Sequence, residues 1–310
     1  MISIYKTTPD GLQEIHTFEK DSWVNIINPT KDELEKINQE LRVPLDFLTD
    51  PLDIDERARI ESEDGVILSV LRIPQIERED ADIPFTTIPL GIIFCNKIFI
   101  TICRRETVIV SDFINGNEKN FSTTKRTRFL FRIYLKTALL YLKYLKEINK
   151  INSVIERELH VAMRNKELIR LLNMEKSLVY FTTALKSDEL MIERLQKTEY
   201  IKMNPDDKEL LEDVIIEYKQ AIEMTNVYSN ILSGMMDAFA SVISNNLNVV
   251  LKFLTSVTII LMIPTLVASI YGMNVELPFQ HSSLAFLITM VISFGFSIIG
   301  ILIFRKRNWF

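Results

Sequence analysis

Two long apolar runs stand close together near the end of the chain, at residues 249–270 and 284–304. The second run has no charged residue, and the first has only Lys252 near its start. A helix needs roughly 20 apolar residues to cross the hydrocarbon core of a bilayer. At the end of an otherwise charged chain, the two runs predict membrane-spanning helices rather than buried core helices.

The charges around these runs predict an orientation. Arg305, Lys306 and Arg307 directly follow the second run, and basic residues that flank a span stay on the cytoplasmic side. The first residues lack the basic start and apolar core of a signal peptide. We therefore expect a multi-pass protein of the cytoplasmic membrane with both termini in the cytoplasm, and with residues 275–283 outside.

Polar and small residues recur within the first apolar run at alternating steps of three and four, which is heptad spacing. Asp237 lies on the same stripe further towards the N-terminus. Small and hydroxyl residues can form a packing seam between membrane helices, or several copies of the helix can line a pore, which requires an oligomer. In the pore interpretation Leu251 and Met262 narrow the bore. The stripe consists of Asn248, Leu251, Thr255, Thr258, Met262, Thr265, Ser269 and Gly272.

The N-terminal part has the mixed pattern of an α/β domain, predicted over residues 1–122. Runs rich in β-branched and apolar residues predict strands at 22–27 and 66–76, and a hairpin of strands 87–94 and 98–103. Thr30 and Glu33 have the spacing of a capping box and predict a helix that ends near residue 41.

From about residue 123 the pattern becomes helical. Residues 128–164 and 165–200 predict a helical hairpin, placed at 123–203, and Asn204-Pro205 is a strong helix start. One helix of about 100 Å could then run from 205 to 271, at about 1.5 Å per residue. The predicted division ends with a stalk and first span at 204–271 (span 249–271), a loop at 272–283, a second span at 284–304 and a tail at 305–310.

Charge and composition exclude several classes of function. Outside the five charged residues of the membrane region, the chain has 32 basic and 40 acidic residues, a net charge of −8. This balance disfavours nucleic acid and suits cations. Cys95 and Cys103 lie in apolar runs and are expected to be buried and reduced. The three histidines lack zinc-site spacing, and no phosphate loop or activated nucleophile is evident, so we do not expect an enzyme.

The tetrapeptide Tyr271-Gly272-Met273-Asn274, followed by a short loop, a second span and a basic-aromatic end, resembles the CorA family of magnesium channels. Residues at further family spacings include Asp213, Asp237, Asn248 and 262–265. The resemblance implies a homopentameric funnel: an α+β cytoplasmic domain with long stalk helices plus two C-terminal transmembrane helices. It also implies Mg²⁺ as the transported and regulatory ion, and membrane lipid as the surrounding partner.

In that family the Gly272-Met273-Asn274 triplet is the selectivity filter. Mg²⁺ gives up its water reluctantly, so carboxamide and carbonyl oxygens suit a hydrated ion; Asn274 could also cap the helix. Leu251 and Leu254 could form a dewetting gate, with Asp237 collecting cations at the inner end. Asp213 falls on a regulatory position, and Asp80 and Asp82 are its candidate partners by location alone.

Some residues depart from the family pattern and leave the ion open. The outer loop has a single acid, Glu276, and Leu251 stands where well-known members have a second pore methionine. Mg²⁺ is the first expectation, with cobalt or nickel passing less readily. The alternatives are a zinc transporter of the same superfamily and a membrane-anchored oligomeric sensor or scaffold that conducts nothing.

Overall fold

The computed structural model describes residues 1–78, 81–118, 121–161, 165–198, 200–279, 282–307 and 309. The chain forms two compact units, Met1–Met235 and Met236–Phe310. The finer six-part division expected from the sequence stays a prediction.

The first unit contains a seven-stranded sheet in the order β2-β1-β3-β7-β6-β5-β4. Only β3 and β7 pair in parallel among the described strands; the other neighbours are antiparallel. Asn96 and Lys97 both have positive φ in the tight turn of the β6–β7 hairpin, as such a turn requires. The strands are β1 (Ile2–Thr8), β2 (Gly11–Ile15), β3 (Trp23–Ile27), β4 (Arg59–Glu63), β5 (Val66–Ile76), β6 (Phe85–Cys95) and β7 (Ile98–Cys103).

Short helices cover one face of the sheet. Helix α1 (Lys31–Leu41) begins with the predicted capping box, in which Thr30 and Glu33 bind each other's backbone N–H groups. Helix α2 (Leu45–Thr49) follows, and then a 3₁₀ turn at Asp50–Leu52. Leu34, Ile37 and Phe47 of these helices are buried against β3, β5 and β7, so the amphipathic face of α1 completes this core.

The other face packs against long helices through an aromatic cluster. Trp23 is fully buried, lies edge-on to Phe129 with centroids 5.0 Å apart, and donates its Nε1–H to the Thr101 hydroxyl at 2.8 Å. Phe99 stacks on Phe129 at 4.3 Å. A buried tryptophan needs such a partner for its N–H, and the cluster packs the start of the helix that contains Phe129 against the sheet.

The remaining helices are α3 (Val108–Ile114), α4 (Arg126–Val161), α5 (Asn165–Lys197), α6 (Pro205–Tyr271) and α7 (Ala285–Lys306). Asn204 caps α6 as predicted, since its Oδ1 accepts the N–H of Asp207 at 2.8 Å and Pro205 is the first helical residue. The single 67-residue helix is confirmed. Strands β1 and β2 and helix α3 lie outside the elements predicted from the sequence.

Candidate functional site

The Gly272-Met273-Asn274 triplet directly follows the end of α6. The N–H groups of Gly272 and Met273 still donate to the carbonyls of Ala268 and Ile270, at 3.0 and 3.1 Å. Asn274 lies beyond this last turn, is exposed, and does not have the positive φ of an asparagine that ends a helix. The role of Asn274 as a helix cap stays a prediction, as does its role in the filter, and its side chain is exposed in the protomer.

The loop that follows α6 contains an internal hydrogen bond. The Tyr271 hydroxyl donates to the carbonyl of Pro278 at 3.4 Å, across seven residues. Glu276 is exposed between them, and the Ser282 hydroxyl accepts the N–H of Leu284 before α7 begins. The triplet and the loop's one acid therefore share a short segment whose two ends are linked.

The predicted stripe on α6 is exposed throughout the protomer. Thr258 and Thr265 donate their hydroxyl hydrogens to the carbonyls of Leu254 and Leu261, at 2.9 and 3.3 Å. A hydroxyl that donates to its own helix still presents oxygen lone pairs outward, which suits a cation. The exposed members are Asn248, Leu251, Thr255, Thr258, Met262, Thr265, Ser269 and Gly272.

Helix α7 packs on a different side of α6. Ser256 is fully buried and Val267 nearly so, and a Cβ on Gly300 of α7 would lie 3.4 Å from Ile263 and 3.8 Å from Ile260. At about 100° per residue, positions 256, 260, 263 and 267 point to the side of α6 almost opposite the stripe. Ser256, the one hydroxyl residue of this span off the stripe, thus belongs to the packing seam, and the stripe is not the contact with α7.

Residues predicted for the gate lie further towards the N-terminus of α6. Leu251 and Leu254 expose 49% and 59% of their surface, although both are large and apolar. Asp237 is exposed on the same helix. Exposed leucines at these positions need a cover from outside the protomer.

The predicted regulatory carboxylates are placed only in part. Asp213 is exposed on α6 and Asp82 is exposed before β6, and neither forms an ion pair or hydrogen bond with a described residue. Asp80 lies outside the described residues. Across the described ranges, no group of three or more His, Cys, Asp or Glu side chains could hold a metal ion. The described residues of one protomer therefore do not bring a regulatory site together, and the predicted roles of these carboxylates stay predictions.

Within the described ranges, two helices are long and apolar enough to cross a membrane, α6 and α7. The model of the family described as CorA-like Mg²⁺ transporter protein matches residues 19–306. The chain belongs to the CorA family. A relative named cobalt/magnesium transport protein CorA, from Methanocaldococcus jannaschii, is 26% identical over the full length of both chains. A magnesium transport protein CorA from Helicobacter pylori is 27% identical, over 93% of this chain and 90% of the relative.

Solved structures establish the CorA fold. The complete CorA magnesium transporter of Methanocaldococcus jannaschii matches with a TM-score of 0.87 at 24% identity, over 100% of this chain and 99% of that one. The full-length CmaX protein matches with a TM-score of 0.73 at 12% identity, over 99% and 97%. The predicted fold class, an α+β domain with long helices and two C-terminal apolar helices, is confirmed.

The sequence analysis of this CorA-family chain did not identify the face of α7 that packs against α6. Ser293 and Ser297 are buried, and Gly300 meets α6. Their spacing of four and three residues is that of one helix face, and small residues let membrane helices approach closely. That pattern was visible in the second apolar run and identifies its inner face.

Proposed function

We propose that the chain forms a homopentamer that conducts Mg²⁺ into the cell across the cytoplasmic membrane, with both termini inside. The observation that carries this proposal is the exposed hydroxyl stripe of α6, which faces away from α7. Family membership and the names of the relatives support a divalent cation as the cargo.

Only an oligomer can use that stripe as a pore. Each protomer supplies two spans, and its seam between α6 and α7 leaves Thr258, Thr265 and Ser269 uncovered. Polar groups facing lipid are unfavourable, because the hydrocarbon offers them no hydrogen bonds. Five copies of α6 around an axis would turn these hydroxyls towards water and ions and leave α7 on the lipid side.

The filter of this channel is the triplet at the outer end of α6. Asn274 offers a carboxamide oxygen, and Gly272 offers a carbonyl that is not shielded by a side chain. Because Mg²⁺ keeps several of its waters, a ring of such oxygens would hold the hydrated ion by outer-shell hydrogen bonds. Met273 separates Gly272 from Asn274 in the sequence. Glu276 adds negative charge near the outer end of the pore.

Below the filter, Thr265, Thr258, Thr255 and Asn248 provide further oxygen contacts. Leu251 and Leu254 are exposed at 49% and 59% in the protomer, and rings of leucine would exclude water when the pore is narrow. Asp237, on the cytoplasmic side, would attract cations to the inner end. On one helix, the exposed leucines would thus form the gate, and the exposed acid would attract cations.

Regulation would use Mg²⁺ bound between neighbouring protomers. Asp213 on α6 and an acid before β6, Asp82 or Asp80, are the carboxylates we assign to it. The ion must bind the closed state better than the open state in order to shift the population. When Mg²⁺ leaves, unscreened carboxylates of neighbouring protomers repel one another and favour opening.

The test is uptake into proteoliposomes that contain a magnesium-sensitive dye. We expect wild-type flux of Mg²⁺, loss of flux in Asn274→Ala, and unchanged flux in Asn245→Ala, which alters an exposed asparagine on α6 outside both the filter and the stripe. Cobalt and nickel are expected to pass more slowly.

Repeating the assay with zinc separates the alternatives. Strong zinc flux without Mg²⁺ flux would make the chain a zinc transporter. Silence with every ion, in protein shown to be pentameric, would instead indicate a sensor or scaffold that conducts nothing and would overturn the proposal.

A further inference from the structure

An open cavity of about 770 Å³ lies in the first unit, where the β6–β7 turn meets the first turns of α4 and α6. It is lined by the polar residues Thr124, Thr127 and Asn204 and by the aromatic residues Phe94 and Tyr200. Five basic residues also line it: Lys97, Lys125, Arg126, Arg128 and Lys202.

The acids of this cavity do not balance its cations. Asp207 is 5% exposed and its carboxylate accepts the N–H of Asn204 at 3.3 Å, so it serves as a helix cap. Asp206 lies 3.8 Å from the guanidinium of Arg128. The other four basic residues form no ion pair with any described residue, and the Arg126 guanidinium lies 6.0 Å from the centre of the Phe94 ring.

The start of α4 adds positive potential to these side chains. The first turn of this 36-residue helix contains Arg126 and Arg128, no acidic residue, and follows Lys125 directly. The N-terminus of a helix is the positive end of its dipole and leaves N–H groups without carbonyl partners. Acidic residues are the usual choice there, so a basic first turn conflicts with the local preference of the helix. Departures of this kind are expected at functional or strained sites.

We propose that this cavity binds an oligophosphate anion, with two or more linked phosphoryl groups, either free or attached to a nucleoside. Helix N-termini with basic side chains bind phosphate groups through N–H groups and charge. Three or four negative charges would match the excess of cations, and the volume exceeds what one phosphate needs. The site is separate from the cation path and does not depend on the proposed conduction.

The experiment is calorimetric titration of the full-length protein in detergent, at low ionic strength and in metal-free buffer, with pyrophosphate, ATP and adenosine as probes. We expect pyrophosphate and ATP to bind and adenosine not to bind. The variant Lys125→Gln/Arg126→Gln should weaken binding at least about tenfold, because it removes two charges at the helix start. The control Lys166→Gln/Lys176→Gln removes the same charge from exposed positions of α5 and should leave the affinity unchanged.

A variant with the opposite expected sign guards against loss of folding. Asp206→Asn removes an acid from the cavity wall, and it should strengthen pyrophosphate binding severalfold. Equal affinities in the wild type and in both cavity variants would place the anion elsewhere and overturn the proposal. Absence of pyrophosphate and ATP binding to the wild type would overturn it directly, and binding of ATP and adenosine without pyrophosphate would show a nucleoside site instead.

Discussion

The carboxylate of Asp188 accepts the backbone N–H of Arg72 at 2.8 Å, in the middle of the first unit. Asp188 belongs to α5 and Arg72 to β5, so one side-chain oxygen joins a helix to the sheet. The other oxygen lies 3.5 Å from the hydroxyl of Tyr218 on α6. Asp188 is fully buried, and its contacts join three elements at a position that is not exposed to solvent.

Burial raises the pKa of Asp188 well above its usual range, although the N–H and the charge of Arg72 act in the opposite direction. The buried hydroxyls of Tyr141 and Tyr218 are close enough for Asp188 to raise their pKa values as well, in addition to the effect of burial. Burial therefore favours the neutral form of this acid, because an ionised carboxylate is poorly solvated there.

This predicts a pH-dependent effect of Asp188→Asn. The folded pKa lies above the unfolded value of about 3.9, so the wild type loses stability as pH rises from there towards the folded pKa. Asparagine keeps an acceptor for Arg72 and does not ionise. The variant should gain stability relative to the wild type as pH rises above about 4, by up to about 1.4 kcal/mol per pH unit, until the folded pKa is reached.

Thermal unfolding followed by tryptophan fluorescence checks this across the pH range. The matched variant Asp46→Asn changes an acid that is not fully buried and should show no such trend. A difference between Asp188→Asn and the wild type that stays constant or shrinks with pH would contradict a neutral buried acid.

Gly91 predicts a second stability effect, from close packing. A Cβ at this position of β6 would lie 2.5 Å from Cγ of Pro51 and 2.7 Å from Cγ2 of Ile102. The proline ring cannot swing away, so Gly91→Ala should lower the free energy of unfolding by about 1–3 kcal/mol. A Cβ added at Gly234 of α6 would have no atom within 4 Å. Gly234→Ala should therefore raise the free energy of unfolding by up to about 1 kcal/mol, because alanine favours a helix more than glycine does. Chemical denaturation of both variants measures this pair, and equal effects would refute the packing argument.

The two cysteines predict a chemical behaviour. Both are buried, and burial raises the pKa of Cys103 to about 11. Since the thiolate is the reactive form, the folded protein should show almost no reaction with Ellman's reagent at pH 8, and two thiols should react after denaturation. Rapid reaction of one thiol in the folded state would show that the sheet opens at that strand.

Much of the fold was predictable because local signals and packing agree. Thr30 and Glu33 form the capping box that their spacing indicates, and Asn204 starts α6 as its neighbour Pro205 suggests. The apolar periodicity of α6 and the length of the two runs fixed the membrane unit. In each case a few neighbouring residues decide the structure.

The missed elements depend on distant residues. Strand β2 is an edge strand with mostly polar positions, and its pairing with β1 stabilises it. The β-branched sequence of α3 favours a strand, but Thr107 caps it and Ile109 and Phe113 are buried, so packing overrides the local preference. Asp188 looks like a solvated acid on a helix, and only the position of Arg72 shows its actual role.

The stripe on α6 predicts different effects of substitution at two hydroxyl residues that lie two positions apart, Ser256 and Thr258. Thr258→Val removes an outward oxygen but keeps the shape of the side chain, whereas Ser256→Ala changes a hydroxyl buried on the α7 side. Flux of Mg²⁺ in proteoliposomes should fall roughly threefold to tenfold in the first, as loss of about 1 kcal/mol in ion contact implies. It should stay near the wild-type value in the second. The reverse order would place the packing seam on the stripe and the pore elsewhere.

Asp213 predicts how the stalk responds to Mg²⁺. If the ion bridges protomers through this carboxylate, millimolar Mg²⁺ should slow proteolysis of the first unit, because binding to the closed state stabilises it by mass action. Asp213→Ala should lose most of this protection. Glu212→Ala removes the neighbouring exposed acid, which points about 100° away around the helix, and should retain it. Limited digestion of the three proteins over a range of Mg²⁺ concentrations measures the effect. Equal protection in all three would mean that Asp213 does not bind the regulatory ion. Equal loss of protection in both variants would indicate a general effect of negative charge rather than a specific site.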